Sequence, residues 1–374
     1  MEVLFSTFFV FLVSGLVLSL VAHFHRKRRR RIDQSLQQLA EERGGTTTPA
    51  KIFDPARLQF TLQGCDVQVE YEHTGDEHTP RHTNIYIQLP ITLPDLKVSP
   101  QNMSSSAARL LGVQDIEIGV ADFDPRYVIK GAGSELLDDA VRGRLDELRA
   151  IDQTNDVVVK LSPNEQGTEL LIQKGGWLEH DKPLRRYISS AEALLMELQE
   201  SRLRPWAAVA AATGLTLTEE AGLPQLTGQI HGCPVSIRIV RDGKRWRTVI
   251  TAQTAGPAGL HIVHKDHTSG GRPLSIPNPV LSMTVSVFGD DPEVIKEFLS
   301  DESRTSALLP VVHGHPGSTV TEDTITLQAQ GWLLNDLPEV VEKVTALLAA
   351  MSTRSACEDR SQQRAARTKE RATT

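Results

Sequence analysis

Twelve histidines are the most chemistry-rich feature of this 374-residue chain. His261, His264 and His267, with His313 and His315 further along and His73, His78 and His82 earlier, invite a metal site. A structural zinc takes four ligands in tetrahedral geometry, whereas residues i and i+3 of a strand point to opposite faces. His261 and His264 therefore reach one ion only if the segment turns, and the sequence places no cysteine or carboxylate at ligand spacing beside them. Surface histidines and no metal are the expectation. Gly131-Ala132-Gly133 sits between a strand and a helix, as a dinucleotide loop would. Leu136 occupies its third glycine position, and the matching block later in the chain carries Asp290 and Asp291, which repel a pyrophosphate. No phosphate-cradling loop, nucleophile elbow or zinc-protease helix occurs. No cofactor and no catalytic set are expected. A hydrolase or transferase would use one-copy polar residues such as Asp122, Asp124, His264 or Asp266, which carry no motif spacing. Cys65, Cys233 and Cys357 read as free thiols, the first two small and buried.

The segments that must position any such chemistry begin with a membrane signal. Val3 to Ala22 is twenty residues without a charge. As a helix at about 1.5 Å per residue it spans about 30 Å, the thickness of a bilayer's hydrocarbon core. Arg26, Lys27, Arg28, Arg29, Arg30 and Arg31 follow at once. A cleaved secretory signal is the competing reading. It wants a basic leader, a shorter apolar stretch and small residues before the cut. Here the leader is Met1-Glu2, and Leu20 stands where a small residue is needed. Residues 1–25 are thus expected to be a transmembrane anchor and 26–31 a basic flank against lipid headgroups. That flank would hold the bulk of the chain on the cytoplasmic face of the inner membrane, with the N-terminus outside.

Charge supports this division. Residues 1–31 carry +5 and residues 352–374 carry +3, while the whole chain carries −7, so the middle is strongly acidic. Nucleic acid, which needs clustered Lys and Arg, is disfavoured as a partner. The tail from Ser352 has too few apolar residues to build a core and is expected to be disordered.

The middle is one pattern written twice. Leu39–Tyr71 and Val209–Ile239 each run from a helix ending at glycine (Gly44, Gly214) to Gly-Cys-x-Val. Tyr127–Leu137 matches Val285–Ile295, and Leu170–Leu178 matches Leu327–Leu333. Two homologous units follow, 32–203 and 204–351. Residues 66–73, 83–89, 234–240 and 246–252 alternate apolar and polar, the signature of half-buried strands, and Asp242-Gly243 reads as a hairpin turn. Ser134–Leu148, Ala191–Leu198 and Pro338–Met351 carry helical spacing. The fold class expected is α+β: an N-terminal transmembrane helix, then two units, each a mainly antiparallel sheet with about three helices. Trp177 and Trp332 occupy matching places and are expected to anchor a strand end against each unit's last helix.

Trp206, Ala210, Gly214, Leu215, Leu226, Gly228, Gly232, Val235, Gly289 and Leu333 carry a pattern that resembles uncharacterised bacterial single-pass or peripheral membrane proteins of unknown function. The resemblance implies a location and a fold unit, and no activity. Everything the copies share is structural, so the expected function is a non-enzymatic, membrane-tethered binding or scaffold module. Its partners are the lipid bilayer and another protein, and its oligomeric state is not encoded in any signal. The alternative is a hydrolase or transferase with a site between the units.

Overall fold

A computed structural model describes residues 2–49, 56–72, 81–101, 116–151, 156–242, 245–267, 272–276 and 278–351. Helix α1 runs Glu2–Arg43. It is followed by β1 (Thr46–Thr48), β2 (Arg57–Leu62), β3 (Cys65–Glu72), β4 (His82–Leu89), β5 (Leu96–Pro100) and β6 (Tyr127–Lys130). Helix α2 (Asp139–Arg149), β7 (Val157–Asn164), β8 (Gly167–Gly175) and helix α3 (Asp181–Thr213) follow. The rest is β9 (Thr216–Glu220), β10 (Leu223–Ile230), β11 (Cys233–Asp242), β12 (Arg245–Gln253), β13 (His261–His264), α4 (Pro279–Thr284), β14 (Val285–Phe288), α5 (Pro292–Ser300), α6 (Glu302–Gly314), β15 (Thr319–Thr321) and β16 (Thr324–Gln330). A last helix, α7, covers 337–351. The chain divides into two compact units, Met1–Gln199 and Glu200–Thr374.

Each unit holds an eight-stranded antiparallel sheet. The first has the order β1-β2-β3-β4-β8-β7-β5-β6. The second, read from its first strand, is β9-β10-β11-β12-β16-β15-β13-β14, the same order strand for strand. The alternating segments are the strands β3, β4, β11 and β12; along β3 every second residue, Cys65, Val67, Val69 and Tyr71, is buried and those between are not. Their apolar residues (Val67, Val69, Ile85, Ile87; Val235, Ile237, Ile250, Ala252) are buried on one face. The other face carries the polar partners. Pairing β11 with β12 brings Asp242 opposite Arg245; the turn residues Gly243 and Lys244 lie outside the described set.

Two devices recur in both units and fix the register. The β2–β3 and β10–β11 hairpins turn through Gln63-Gly64 (φ 49°, 79°) and His231-Gly232 (φ 52°, 79°). Positive φ at both central residues is the requirement of a type I′ turn, whose twist matches that of the strands. After the eighth strand, Gly176 donates its N–H to the Arg81 carbonyl and Gly331 donates to the Trp246 carbonyl. The buried Thr83 and Thr248 hydroxyls donate to the carbonyls of those same glycines, each at 3.0 Å.

The helices differ from the sequence expectation in three places. The helix expected over Ser134–Leu148 begins at Asp139, because the Asp138 side chain caps the Val141 N–H at 3.0 Å and residues 132–136 form a 3-10 turn instead. Its counterpart in chain order is α6, capped by Asp301, while α5 stands where unit 1 has only that turn. Pro292 does open α5 behind the cap Asp291. The helix expected over Ala191–Leu198 is part of the 33-residue α3, which runs on through Pro205. Leu184, Tyr187, Ile188, Ala191, Leu194, Leu195 and Leu198 form its buried stripe, and Leu337, Val340, Val341, Val344, Leu347, Leu348 and Met351 repeat that spacing residue for residue.

Each unit opens with a helix docked on its own sheet. In unit 1 Ile32, Leu36, Leu39 and Ala40 are buried, at the i, i+4, i+7, i+8 positions of one helical face. Burial of each Ile or Leu contributes about 1.5–3 kcal/mol, so the last three turns of α1 belong to the globular body. In unit 2 the same spacing holds Arg202, Trp206 and Val209. The Arg202 guanidinium, enclosed where unit 1 has Ile32, donates to the Gly222 carbonyl at 2.8 Å and to Glu219 at 2.6 Å.

Candidate functional site

The basic flank lies on α1, one turn before its docked face. Arg26, Lys27, Arg29, Arg30 and Arg31 are exposed, and Arg28 is half-buried. Arg28 forms an ion pair with Glu179, and its guanidinium carbon lies 4.8 Å from the centre of the Trp177 ring. Arg81 covers the same ring at 5.0 Å. Trp177 donates its indole N–H to the Glu72 carbonyl at 3.1 Å and meets Tyr71 edge to face at 6.4 Å. The six basic residues, one uniform run in the sequence, are therefore five solvated charges and one that is part of unit 1. Further toward the N-terminus Leu16, Val17, Leu20 and Phe24 are 67%, 52%, 57% and 61% exposed. Among the described residues no helix is long and apolar enough to cross a membrane; most side chains of the uncharged run fall outside that set.

The matching tryptophans are not equivalent. Trp332 is buried against Trp246 of β12, with ring centres 5.8 Å apart. Trp177 is only half-buried, because the residue in the place of Trp246 is Arg81.

The open face of the unit 1 sheet holds a second candidate, a depression of about 530 Å³ lined by Gln59, Gln68, Tyr86, Gln88, Asp66 and Glu169 among others. The pleat brings these side chains together: Asp66 pairs with Gln88, and Gln88 with Glu169. Adjacent strands stand about 4.8 Å apart, so the two acidic positions are about 10 Å apart with Gln88 between. The amides are held by one another. Gln59 donates to Gln68 at 3.0 Å, Gln68 to Glu70 at 3.0 Å, and Asn164 to Gln88 at 3.0 Å. Asn84 donates to the Tyr86 hydroxyl at 3.2 Å, and burial holds that phenol above its ordinary range. Tyr86 therefore stays protonated at neutral pH and has its O–H to donate. Among the described residues no basic side chain pairs with Asp66 or Glu169. The equivalent strand positions in unit 2 are Pro234 and Thr324, so the acidic character belongs to one copy. Sequence reasoning missed this cluster because its members lie on four strands and share no spacing; the alternation that named the strands carried the only signal.

The other residues singled out in the sequence have local partners. Asp124 accepts from the Ile118 and Val120 backbone N–H groups at 3.3 and 3.0 Å, closing a turn, and the Asp122 carbonyl accepts from Arg126. His264 and Asp266 contact each other at 3.4 Å. The segment does turn: a 3-10 helix over Lys265–His267 puts the His264 and His267 rings 6.4 Å apart. Among the described residues no three His, Cys, Asp or Glu side chains are grouped to hold a metal ion. His73, His78, Cys357 and the tail lie outside the described residues. Lys174, also missed, is fully buried on the core face of β8 where unit 2 has Ala329.

The two cysteines follow equivalent turns but differ in environment. Cys65 is 1% exposed, whereas Cys233 is half-exposed, which corrects the expectation that both are buried. Burial, then the neighbouring Asp66, pushes the Cys65 thiol up from its ordinary value. Its reactive thiolate is thus disfavoured twice over, by access and by charge. In a Cys357→Ser chain, alkylation at neutral pH is expected to label Cys233 and leave Cys65 unmodified until denaturant is added; equal rates would contradict the burial. Because the folded pKa is raised, unit 1 retains this contribution below the ordinary thiol range and loses stability as pH rises through it.

The fold and these two surfaces define a class: a duplicated α+β chain with two eight-stranded antiparallel sheets, led by a long helix that carries a basic flank. Comparison with known proteins goes no further, since no family model, no curated protein and no solved structure matches the chain.

Proposed function

We propose that this protein is a non-enzymatic binding module tethered to a membrane, and that the open sheet face of unit 1 is its ligand site. The observation that carries the binding role is the acidic lining of the unit 1 depression, since the unit 2 depression at the matching positions has Pro234 and Gln253 in its lining and no carboxylate. The unit 1 depression sets two carboxylates and a phenolic O–H around mutually bonded amides, with no basic group among its lining. Such a surface favours a cation, and the width of three strands suits an extended basic segment of a partner protein better than a small ion. The tether reading is supported by the uncharged run Val3–Ala22, by the exposed apolar side chains of Leu16, Val17, Leu20 and Phe24, and by the exposed bases that follow them. Large apolar groups clustered on the outside of a helix have no favourable place in water. The basic flank keeps the globular part on the cytoplasmic side. Against an enzyme, Asp124 is spent on closing a turn.

Titration of the detergent-solubilised full chain with an oligolysine peptide tests the site. Binding is expected to weaken as salt rises. Each exposed ion pair contributes about 0.2–1 kcal/mol, so Asp66→Asn combined with Glu169→Gln should lower affinity about twofold to thirtyfold. Oligoglutamate, which the exposed bases of residues 26–31 attract, should bind the double variant and the parent equally. Equal affinity of the double variant and the parent for oligolysine would sink the assignment.

A further inference from the structure

We infer that the end of unit 1 formed by Arg28, Trp177 and Arg81 is a docking surface for anionic lipid headgroups, which holds the first sheet directly against the bilayer instead of on a loose leash. The inference rests on the tether reading above and adds a second, specific contact to it.

Helix continuity supplies the distance. Arg28 is six residues beyond Ala22 in the unbroken helix α1, or about 9 Å along its axis. A headgroup layer is about 5–8 Å thick on each side of the hydrocarbon, and any tilt of the helix shortens the separation further. Because Ile32, Leu36 and Leu39 are locked in the core, unit 1 has no slack with which to move away. Trp177 is then brought to headgroup level by its contact with Arg28.

The chemistry at that end fits the depth. Tryptophan flanked by basic groups is the composition that membrane–water interfaces favour, since the indole is apolar with one donor and the cations meet phosphate. Among the described residues, two acidic groups nearby are engaged: Glu179 pairs with Arg28, and the Glu72 carboxylate accepts from Asn84 at 2.9 Å. Arg81 and the exposed Arg26, Lys27, Arg29, Arg30 and Arg31 leave the surface positive. The duplicated unit provides the control. The same glycine-to-carbonyl lock in unit 2 carries Trp246 and Trp332, packed together and buried. Only the copy joined to the anchor replaces one of the two aromatics by arginine and opens the other to its surroundings.

Tryptophan fluorescence reads this surface, because the other three tryptophans are at most 8% exposed. The full chain is reconstituted in vesicles of phosphatidylcholine and phosphatidylserine containing a phospholipid with a nitroxide on its headgroup. The wild-type emission is expected to be quenched, and Trp177→Phe to abolish most of that quenching. Arg81→Gln, which keeps the reporter, should reduce the quenching, and pure phosphatidylcholine should give less than the mixture at low salt. A chain that floats with the vesicles but shows equal quenching for wild type and Trp177→Phe overturns this surface and leaves the tether intact. A chain that does not float with them overturns both.

Discussion

Two arginines at the centre of the uncharged run, in a Leu12→Arg/Val13→Arg chain, are expected to release the protein from membranes. Fourteen Leu, Val and Phe residues lie between Val3 and Ala22, and each favours insertion by about 0.3–0.6 kcal/mol near the helix centre. Their total is at most about 4–8 kcal/mol, less toward the ends. One central arginine costs about 2.5–3.5 kcal/mol, which weakens insertion without necessarily reversing it. Two cost about 5–7 kcal/mol and remove two favourable residues as well, so the balance turns against spanning. Flotation of alkaline-washed membranes measures the outcome and separates insertion from aggregation, which pellets but does not float. Parent-like flotation of the double variant would refute an anchor in this segment. The docked part of α1 is untouched by the change, so the released chain should keep the folded signature of unit 1.

Trp332→Ala should destabilise unit 2 by about 2–4 kcal/mol. Truncating a buried tryptophan removes about 3–5 kcal/mol of packing, here the 2%-exposed ring and its contact with Trp246. Among the described residues the indole N–H of Trp332 has no hydrogen-bond partner, so its removal returns part of that loss by relieving an unsatisfied donor. Trp177→Ala, at the matching place in unit 1, should cost less than about 2 kcal/mol, because the ring is half open before the change and forfeits less buried area. Peptide-resolved hydrogen exchange separates the two units. Protection of β12 and β16 should fall in Trp332→Ala while β4 and β8 keep theirs. A larger loss from Trp177→Ala would mean that the two rings carry the same structural duty, which the arginines around Trp177 argue against.

Much of the fold was readable because it depends on local periodicity. The alternation in 66–73, 83–89, 234–240 and 246–252 named four strands, since a half-buried pleat writes its two faces into successive residues. The repeat was readable for a related reason: glycines required at positive φ, such as Gly64 and Gly232, recur wherever the same turn recurs. Helix limits were less legible. Ala191–Leu198 gave no sign that α3 runs for 33 residues, and the true start of α2 depended on the cap that Asp138 supplies. The two acidic positions of the unit 1 depression, Asp66 and Glu169, are a hundred residues apart and meet only through β4.

From the order of its residues alone the chain fixes an oily leading segment, a basic stop after it, two copies of one α+β pattern and the turns inside each copy. Those are properties of neighbouring residues and of their spacing along one element. The partners that each side chain finds were decided by tertiary structure. Arg28, identical in type to Arg29, is taken into the globular body by Trp177 and Glu179, and Trp177 parts from Trp332 because Arg81 replaces Trp246 beside it. Such differences arise between elements distant in sequence, where strand order and helix docking bring groups together and no local period records the meeting.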